Sequence, residues 1–423
     1  MNISDVKRRI RNGEYNDAFS MLYTDISAAA ERYIDALDEF CKLYGDRDNI
    51  RLFSAPGRTE VGGNHTDHQH GCVLAGSVDL DVIAVVSATE GDVIRIKSAG
   101  YPMDEIKASE LSVVEDEKGY AISLIRGVCA AFVNNGYKVG GFDAYTTSNV
   151  LKGSGLSSSA AFEVLVSNIV NGLYNEGSVD AVSIAKYSQF AEREFFGKPC
   201  GLLDQMASSV GGFTYADFND PANPIIEKID LDLTKSGYTL CVVDTGGNHA
   251  DLTQDYADIT IECKKISNAL GVDFLRDADE IDFQSRMGEL RSTCGDRAVL
   301  RAFHFFNENQ RVGLQRAALK SGNFEEFFGH VNDSGESSYK YLQNLYSNSN
   351  VAEQGLCLAI AVTKNFLGNS GACRVHGGGF AGTIQCYIPN DRLDAYCTLI
   401  EGIYGEGTCV PLKIRPVGGY ELV

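Results

Sequence analysis

The sequence predicts an α+β protein of two packed domains behind a helical N-terminal extension. Three observations predict it. The chain has 423 residues, 44% of them apolar, enough for two cores rather than one. Its strand-like and helix-like stretches are segregated along the chain. A polar, proline-bearing segment, Asp217-Phe218-Asn219-Asp220-Pro221-Ala222-Asn223-Pro224, interrupts the apolar pattern and has the composition of a linker.

Residues 1–48 read as the extension. Between Ile26 and Tyr44, the residues Ala30, Tyr33, Ile34, Leu37, Phe40, Cys41 and Leu43 approximate one helical stripe. The first domain, 49–218, opens with short strands, among them Val73–Ala75 and the mostly apolar run Val82–Ser87. A small-residue loop at 153 then leads into a helix reaching residue 174, which buries Phe162, Leu165, Val166, Ile169, Val170 and Leu173. In the second domain, 219–423, a strand is expected at 238–244, helices at 251–269 and 288–306, and a strand at 383–388. No internal repeat is visible.

Composition narrows the partners. A formal charge of −20 opposes nucleic acid and anionic membranes, which are bound through basic surfaces. It also means that any nucleotide site must rely on local cations, a metal ion and helix dipoles. No apolar run of about 18 residues appears, and the first residues are charged where a signal peptide is apolar. Twelve cysteines scattered from Cys41 to Cys409 without a Cys-x-x-Cys pair fit reduced thiols in a cytoplasmic protein.

Three segments bear chemistry. In Gly153-Ser154-Gly155-Leu156-Ser157-Ser158-Ser159-Ala160-Ala161, backbone N–H groups and hydroxyls can surround phosphate oxygens at a helix N-terminus. The Gly-x-x-x-x-Gly-Lys pattern of a P-loop is absent. Three consecutive serines suit phosphate or Mg²⁺, with a carboxylate supplied from elsewhere; a plain small-residue helix start is the bland alternative. Gly377-Gly378-Gly379-Phe380-Ala381-Gly382 matches a dinucleotide fingerprint, but the strand-like TIQCYIP that follows makes it a tight turn between strands. His65-Thr66-Asp67-His68-Gln69-His70 crowds imidazoles around a carboxylate, which leaves a metallohydrolase as an alternative from another class. Asp204, among apolar and small neighbours, is either a helix cap or a functional acid/base.

Taken in this order, the segments resemble the galactokinase branch of the galactokinase, homoserine kinase, mevalonate kinase and phosphomevalonate kinase superfamily. Gly57-Arg58-Thr59-Glu60-Val61-Gly62-Gly63-Asn64-His65-Thr66-Asp67-His68 resembles the signature G-R-x-N-x-I-G-E-H-T-D-Y. The second segment is similar to G-x-G-L-S-S-S-A, with Leu151 at the position usually held by proline, and the third to G-G-G-F-G-G, with Ala381 in place of a glycine. The resemblance runs from about Ser54 to the C-terminus.

It implies an N-terminal domain like ribosomal protein S5 domain 2, a ferredoxin-like C-terminal domain, and an active site between them that converts ATP and an aldohexose to a sugar 1-phosphate and ADP. It assigns Asp204 and Arg58 to catalysis, Gly153, Ser154, Gly155, Leu156, Ser157, Ser158 and Ser159 to ATP, and Glu192 with Ser158 or Ser159 to Mg²⁺. Asn64, His65, Asp67 and Tyr256 fall on sugar contacts, and Gly377, Gly378 and Gly379 on a structural loop. Glu60, Gly62, Asn64 and His68 depart from the signature. Asn64 stands where the family's glutamate accepts from the sugar 6-hydroxyl; an amide can also donate to a C6 carboxylate, and Asp67-His68-Gln69 resembles the plant galacturonate kinases. Galactose is the leading substrate and galacturonate its alternative, beside a non-catalytic sugar- and ATP-binding regulator.

Overall fold

The computed structural model describes residues 1–150, 155–247 and 252–423. Among these, the strands are β1 Ile50–Gly62, β2 Cys72–Ala88, β3 Val93–Ser98, β4 Met103–Lys107, β5 Phe142–Ser148, β6 Phe213–Asp217, β7 Ile225–Ile229, β8 Tyr238–Asp244, β9 Ala372–His376, β10 Thr383–Pro389, β11 Cys409–Leu412 and β12 Tyr420–Glu421. They form two sheets. The first runs β12-β1-β2-β5-β3-β4, with β6 on the early half of β2 and β7 beyond β6; the second runs β11-β8-β10-β9. Every pairing is antiparallel except β3 with β5.

β2 organises the first sheet. The sequence suggested two short strands here, yet the chain is continuous because its polar interruptions are partnered. Asp79 accepts from Thr24 Oγ1 at 2.7 Å and from Lys413 N at 2.9 Å, and Asp81 is fully buried in an ion-paired cluster. Alternate residues then serve opposite faces. Ala84 and Val86 join Ile125, Leu165 and Ile169 in one core. Ile83 and Val85 join Leu52 and the extension's Tyr33, Leu37 and Phe40 in another. Burial on both faces explains why Val82–Val86 is uniformly apolar.

The extension is thus a layer on one face of this sheet, built of helices Ile3–Arg11, Asn16–Leu22 and Ile26–Tyr44. Asn2 and Asp25 cap the first and third by accepting from Asp5 N and Ala28 N. The opposite face carries helices Ala121–Asn134, Ser158–Asn175 and Ala181–Phe190. In Ser158–Asn175, Leu165, Val166, Ile169 and Val170 are fully buried, while Phe162 and Leu173 are half-buried at the core's margin.

The expected domain break at 218/219 falls inside this sheet. Strand β7 pairs with β6 from Phe213↔Ile229 to Asp217↔Ile225, so the Asp220-Pro221 segment is a hairpin connection. Asp220 makes the turn itself, accepting from Ala222 N at 3.0 Å; linker and hairpin share a composition. The second sheet packs against helices Gly355–Leu367 and Leu393–Tyr404 through Leu356, Ala359, Tyr396 and Ile400. The helix expected over 288–306 is two, Met287–Cys294 and Asp296–Ser321, parted at Gly295 with φ 92°. The chain then returns to the first sheet, where β12 pairs with β1 at Phe53↔Glu421 and Ser54↔Tyr420. Among the described residues no helix is long and apolar enough to cross a membrane.

Candidate active site

The site begins where β1 loses its register with β2, at Pro56/Arg58 and again at Glu60/Gly62. Such bulges re-aim side chains. Arg58 Nε donates to Asp204 Oδ1 at 2.7 Å, with Nη2 ion-paired to the same oxygen at 2.7 Å, Nη1 donates to the Gly155 carbonyl, and the Arg58 backbone N–H donates to Leu156 O at 3.0 Å. One residue thereby joins β1, the small-residue turn and helix Leu203–Val210, in whose first turn Asp204 sits. Ser157, at φ 59° ahead of helix Ser158–Asn175, donates its hydroxyl to Asp204 Oδ2 at 2.6 Å. Burial pushes the Asp204 carboxyl up, but Arg58, the Ser157 hydroxyl and Lys198 outweigh it and hold it below its ordinary value. It is therefore ionised at neutral pH.

Beside it lies an oxygen-rich cluster. Helix Ala181–Phe190 widens into a π-helical turn, Ala191–Phe196, which carries the buried Glu192. Glu192 Oε1 accepts from Ser159 Oγ at 3.3 Å and Lys198 Nζ at 2.9 Å, and Oε2 from Gln205 Nε2 at 2.7 Å. Of the two candidate serines, Ser159 reaches the carboxylate. Gln205 Nε2 also donates to Glu163 Oε2 at 3.1 Å. Burial, reinforced by Glu192, raises the Glu163 carboxyl well above its ordinary value.

Sequence reasoning missed Glu163, Lys198 and Gln205. For Glu163 the signal was that it is the sole charged residue of helix Ser158–Asn175, four residues after Ser159. Gly153 and Ser154 lie outside the described residues.

The expected sugar residues divide. His65, at φ 60°, bonds the Gly378 carbonyl through Nε2 at 2.9 Å. A carbonyl only accepts, so Nε2 carries the hydrogen and Nδ1 is the acceptor. Burial lowers its pKa to about 4. Asp67 turns toward the segment leading to Asp204: a Cβ at Gly201 would lie 2.0 Å from its Oδ2. Tyr256 donates its hydroxyl to Gly379 O at 2.8 Å, and its ring stands 6.5 Å from that of His65.

The glycine loop has to be bare beneath these rings. A Cβ at Gly378 would meet Tyr256 Cε1 at 2.5 Å, and one at Gly379 would meet Asn344 O at 2.1 Å. This bears out a turn between strands, with Gly377 and Gly379 at positive φ.

Asn64 does not meet its expectation. It is fully buried; its amide donates to Glu60 Oε1 at 2.8 Å and Gly377 O at 2.7 Å, and its Oδ1 accepts from Asn344 Nδ2 at 2.8 Å and Ser338 Oγ at 3.3 Å. Both amide hydrogens are committed, leaving none for a sugar carboxylate. Glu60 completes the cluster as the acceptor of Arg374 Nη2 at 2.9 Å. The histidines of the first segment also diverge. His65 faces Gly378, His70 stacks on Phe274 at 3.6 Å, and His68 is exposed. Among the described residues no group of three or more His, Cys, Asp or Glu is placed to hold a metal, so the geometry gives the metallohydrolase alternative no support.

Residues 38–88 match the galactokinase galactose-binding signature, and residues 123–212 the GHMP kinases N terminal domain. The first match begins ahead of Ser54, inside helix Ile26–Tyr44. A galactokinase of Streptomyces coelicolor is 31% identical over 369 residues, spanning 87% of this chain and 92% of its own.

The chain belongs to the galactokinase family. A galactokinase of Clostridium tetani is similar at 29% identity over 373 residues, covering 87% of this chain and 91% of its own. The fold agrees with that of the Lactococcus lactis galactokinase, whose crystal structure is complexed with galactose. The TM-score is 0.76 at 21% identity, covering 90% of this chain and 98% of that one. Membership in the galactokinase family makes the chain a sugar kinase, a phosphotransferase that uses ATP.

Proposed function

We propose that this chain transfers the γ-phosphoryl group of ATP to the anomeric hydroxyl of galactose, with Asp204 as the base. The observation that carries the reading is the Asp204 carboxylate, ionised between Arg58 and Ser157 and 37% exposed at the side chain. It is both held and open. Asp204 accepts the hydroxyl proton, the sugar oxygen bonds to the γ-phosphorus, and the bond from that phosphorus to the bridging oxygen of ADP breaks. Arg58 steadies the base and offers positive charge to the moving phosphoryl group, whose loose transition state is stabilised by alignment and charge neutralisation.

The Ser159–Glu192 pair suits Mg²⁺, a hard cation that takes oxygen ligands. Lys198 Nζ, 2.9 Å from Glu192 Oε1, supports this carboxylate as a partner for positive charge. Mg²⁺, when bound there, would neutralise phosphate charge. His65, Asp67 and Tyr256 are inferred to bind and orient the sugar. The first sheet with its helices is inferred to be the S5 domain 2-like unit, and the four-stranded antiparallel sheet with its helices the ferredoxin-like unit. The galacturonate alternative drew on Asn64 and on the Asp67-His68-Gln69 run; the commitment of both Asn64 amide hydrogens to Glu60 and Gly377 weakens the first support only and favours galactose.

A panel of free hexoses and uronic acids with Mg·ATP, scored by ADP release, tests the reading. Galactose is expected to give the highest kcat/KM. Turnover of a uronate alone refutes the substrate, and sugar binding without any turnover refutes the kinase.

A further inference from the structure

The N-terminal extension has no part in the chemistry above, yet several of its polar side chains converge on one carboxylate of the sheet. Arg32, on helix Ile26–Tyr44, donates through Nη1 to Asp81 Oδ1 at 2.5 Å; its Nη2 donates to Asp81 O at 3.0 Å and to Thr147 O at 2.9 Å. Tyr23 donates its hydroxyl to Asp81 Oδ2 at 2.6 Å, and the Tyr33 hydroxyl lies 3.0 Å from that of Tyr23. Arg415 Nη1, 3.3 Å from Asp81 Oδ2, and Ser54 complete the shell of this fully buried carboxylate.

Asp81 is a junction. Across β1 it faces Pro56, immediately before the bulge that aims Arg58. On its other side Asn149 hangs from its backbone: Asp81 N donates to Asn149 Oδ1 at 2.7 Å, and Asn149 N donates to Asp81 O at 3.1 Å. Thr147, gripped directly by Arg32, lies near the end of β5, two residues before Asn149. The small-residue turn is tied back to the same place, since Arg58 N bonds Leu156 O and a Cβ on Gly57 would meet that oxygen at 2.7 Å. One guanidinium from the extension thus fixes the base from which both the catalytic arginine and the phosphate-binding turn depart.

We propose that Arg32 is a positioning residue for nucleotide binding, acting through Asp81 and Thr147 on the entry to the phosphate-binding turn and on Arg58. The inference rests on the kinase reading above. A planar fork suits the task because it spans a carboxylate and two carbonyls at once. Two of the three residues inferred to bind the sugar lie off this path: His65 and Tyr256 are anchored on the glycine loop after β9.

The test uses the full chain as Arg32→Ala, Arg32→Lys and Tyr23→Phe. The Kd for Mg·ATP is measured by calorimetry, KM for Mg·ATP and for galactose by separate titrations, and Tm by thermal unfolding. Misplacing groups at a reaction site by about 1 Å costs up to about 10²-fold, so Arg32→Ala is expected to weaken Mg·ATP by about tenfold or more, with KM for galactose within about twofold. Lysine, able to hold the carboxylate but not both carbonyls, restores part of the loss, and Tyr23→Phe shifts Mg·ATP in the same direction by less.

A purely structural role lowers Tm and the active fraction, and hence kcat, while leaving both constants unchanged; that result overturns the proposal. If Arg32→Ala does not fold, unchanged Mg·ATP constants in the other two variants overturn it equally. A wild type that binds Mg·ATP but spares galactose refutes the substrate and leaves the Kd comparison decisive. One that does not bind Mg·ATP refutes both.

Discussion

At the phosphoryl end, Asp204 keeps 37% of its side chain open and lends its oxygens to Arg58 and Ser157. At the sugar end, Asn64 is sealed, with its whole amide committed to Glu60, Gly377, Asn344 and Ser338. Both lie in segments that resemble family motifs, and both carry polar groups of similar strength. They differ in what those groups face. The first cluster joins elements of one sheet around open space. The second stitches β1 and the residues just after it to Arg374 of β9, to Gly377 of the loop that follows β9 and to Asn344, with the Asn64 amide fully committed. Position in a motif therefore identifies a residue as important without saying whether it touches substrate or holds the parts that do.

The sharpest way to separate the two ends is Asp204→Asn, which keeps shape and removes the charge. Loss of a general base is worth about 10²–10⁴-fold, so kcat is expected to fall by that range while calorimetry shows Mg·ATP and sugar still binding. Unchanged kcat removes Asp204 from its role. At the other end the matching variant is Arg374→Met, which leaves the buried Glu60 carboxylate without its cation. Breaking a buried pair in this way costs about 3–5 kcal/mol. Chemical denaturation should show a loss of that order, and a fully stable variant would mean that the cluster is not a structural tie.

Acid provides the next test. Burial lowers His65 to about 4, below its ordinary value of about 6.5 in an unfolded chain. The unfolded chain takes up the proton first, so the contribution is present above about pH 6.5 and is lost as pH falls through that value toward 4. With each unit worth about 1.4 kcal/mol, the full window amounts to at most about 3.5 kcal/mol. His304, also lowered by burial, acts in the same direction. Tm should decline over this window in wild type and less steeply in His65→Gln; parallel curves would contradict the assignment.

The smallest effect is expected from Asn64→Leu, which strips partners from Glu60, Asn344 and Gly377 at about 1–3 kcal/mol for an unsatisfied buried group. Galactose and galacturonate should keep their relative kcat/KM in this variant. A switch in preference would show that Asn64 does reach the sugar, and the contrast between the two ends would dissolve.

How much of this the sequence disclosed follows the same division. Arg58, Asp204, Ser159 and Glu192 come together through short segments whose local geometry is stereotyped, so reading their motifs in order was enough to nominate them. The Glu60–Arg374 and Asn64–Asn344 partners are about 300 residues apart, and nothing local in either member signals that the two sheets will enclose them. Glu163 was passed over because a single acid in an apolar helix has no motif around it. The hairpin between β6 and β7 was read as a linker because Asp, Asn and Pro favour both. The helical extension was legible from its stripe. That Tyr23 also serves the sheet beneath it through a hydroxyl was not.

The return of the chain to its first sheet bears on synthesis. β12 follows the whole second sheet in the order of translation, yet it is the neighbour of β1, with Leu52 N also donating to Val423 O at 2.9 Å. While the second sheet is still being made on the ribosome, the outer edge of β1 presents unpaired backbone groups, the kind of edge that recruits stray strands. The nascent protein therefore passes through a window in which its oldest strand is its stickiest, and that window shuts only when residues 420–423 emerge.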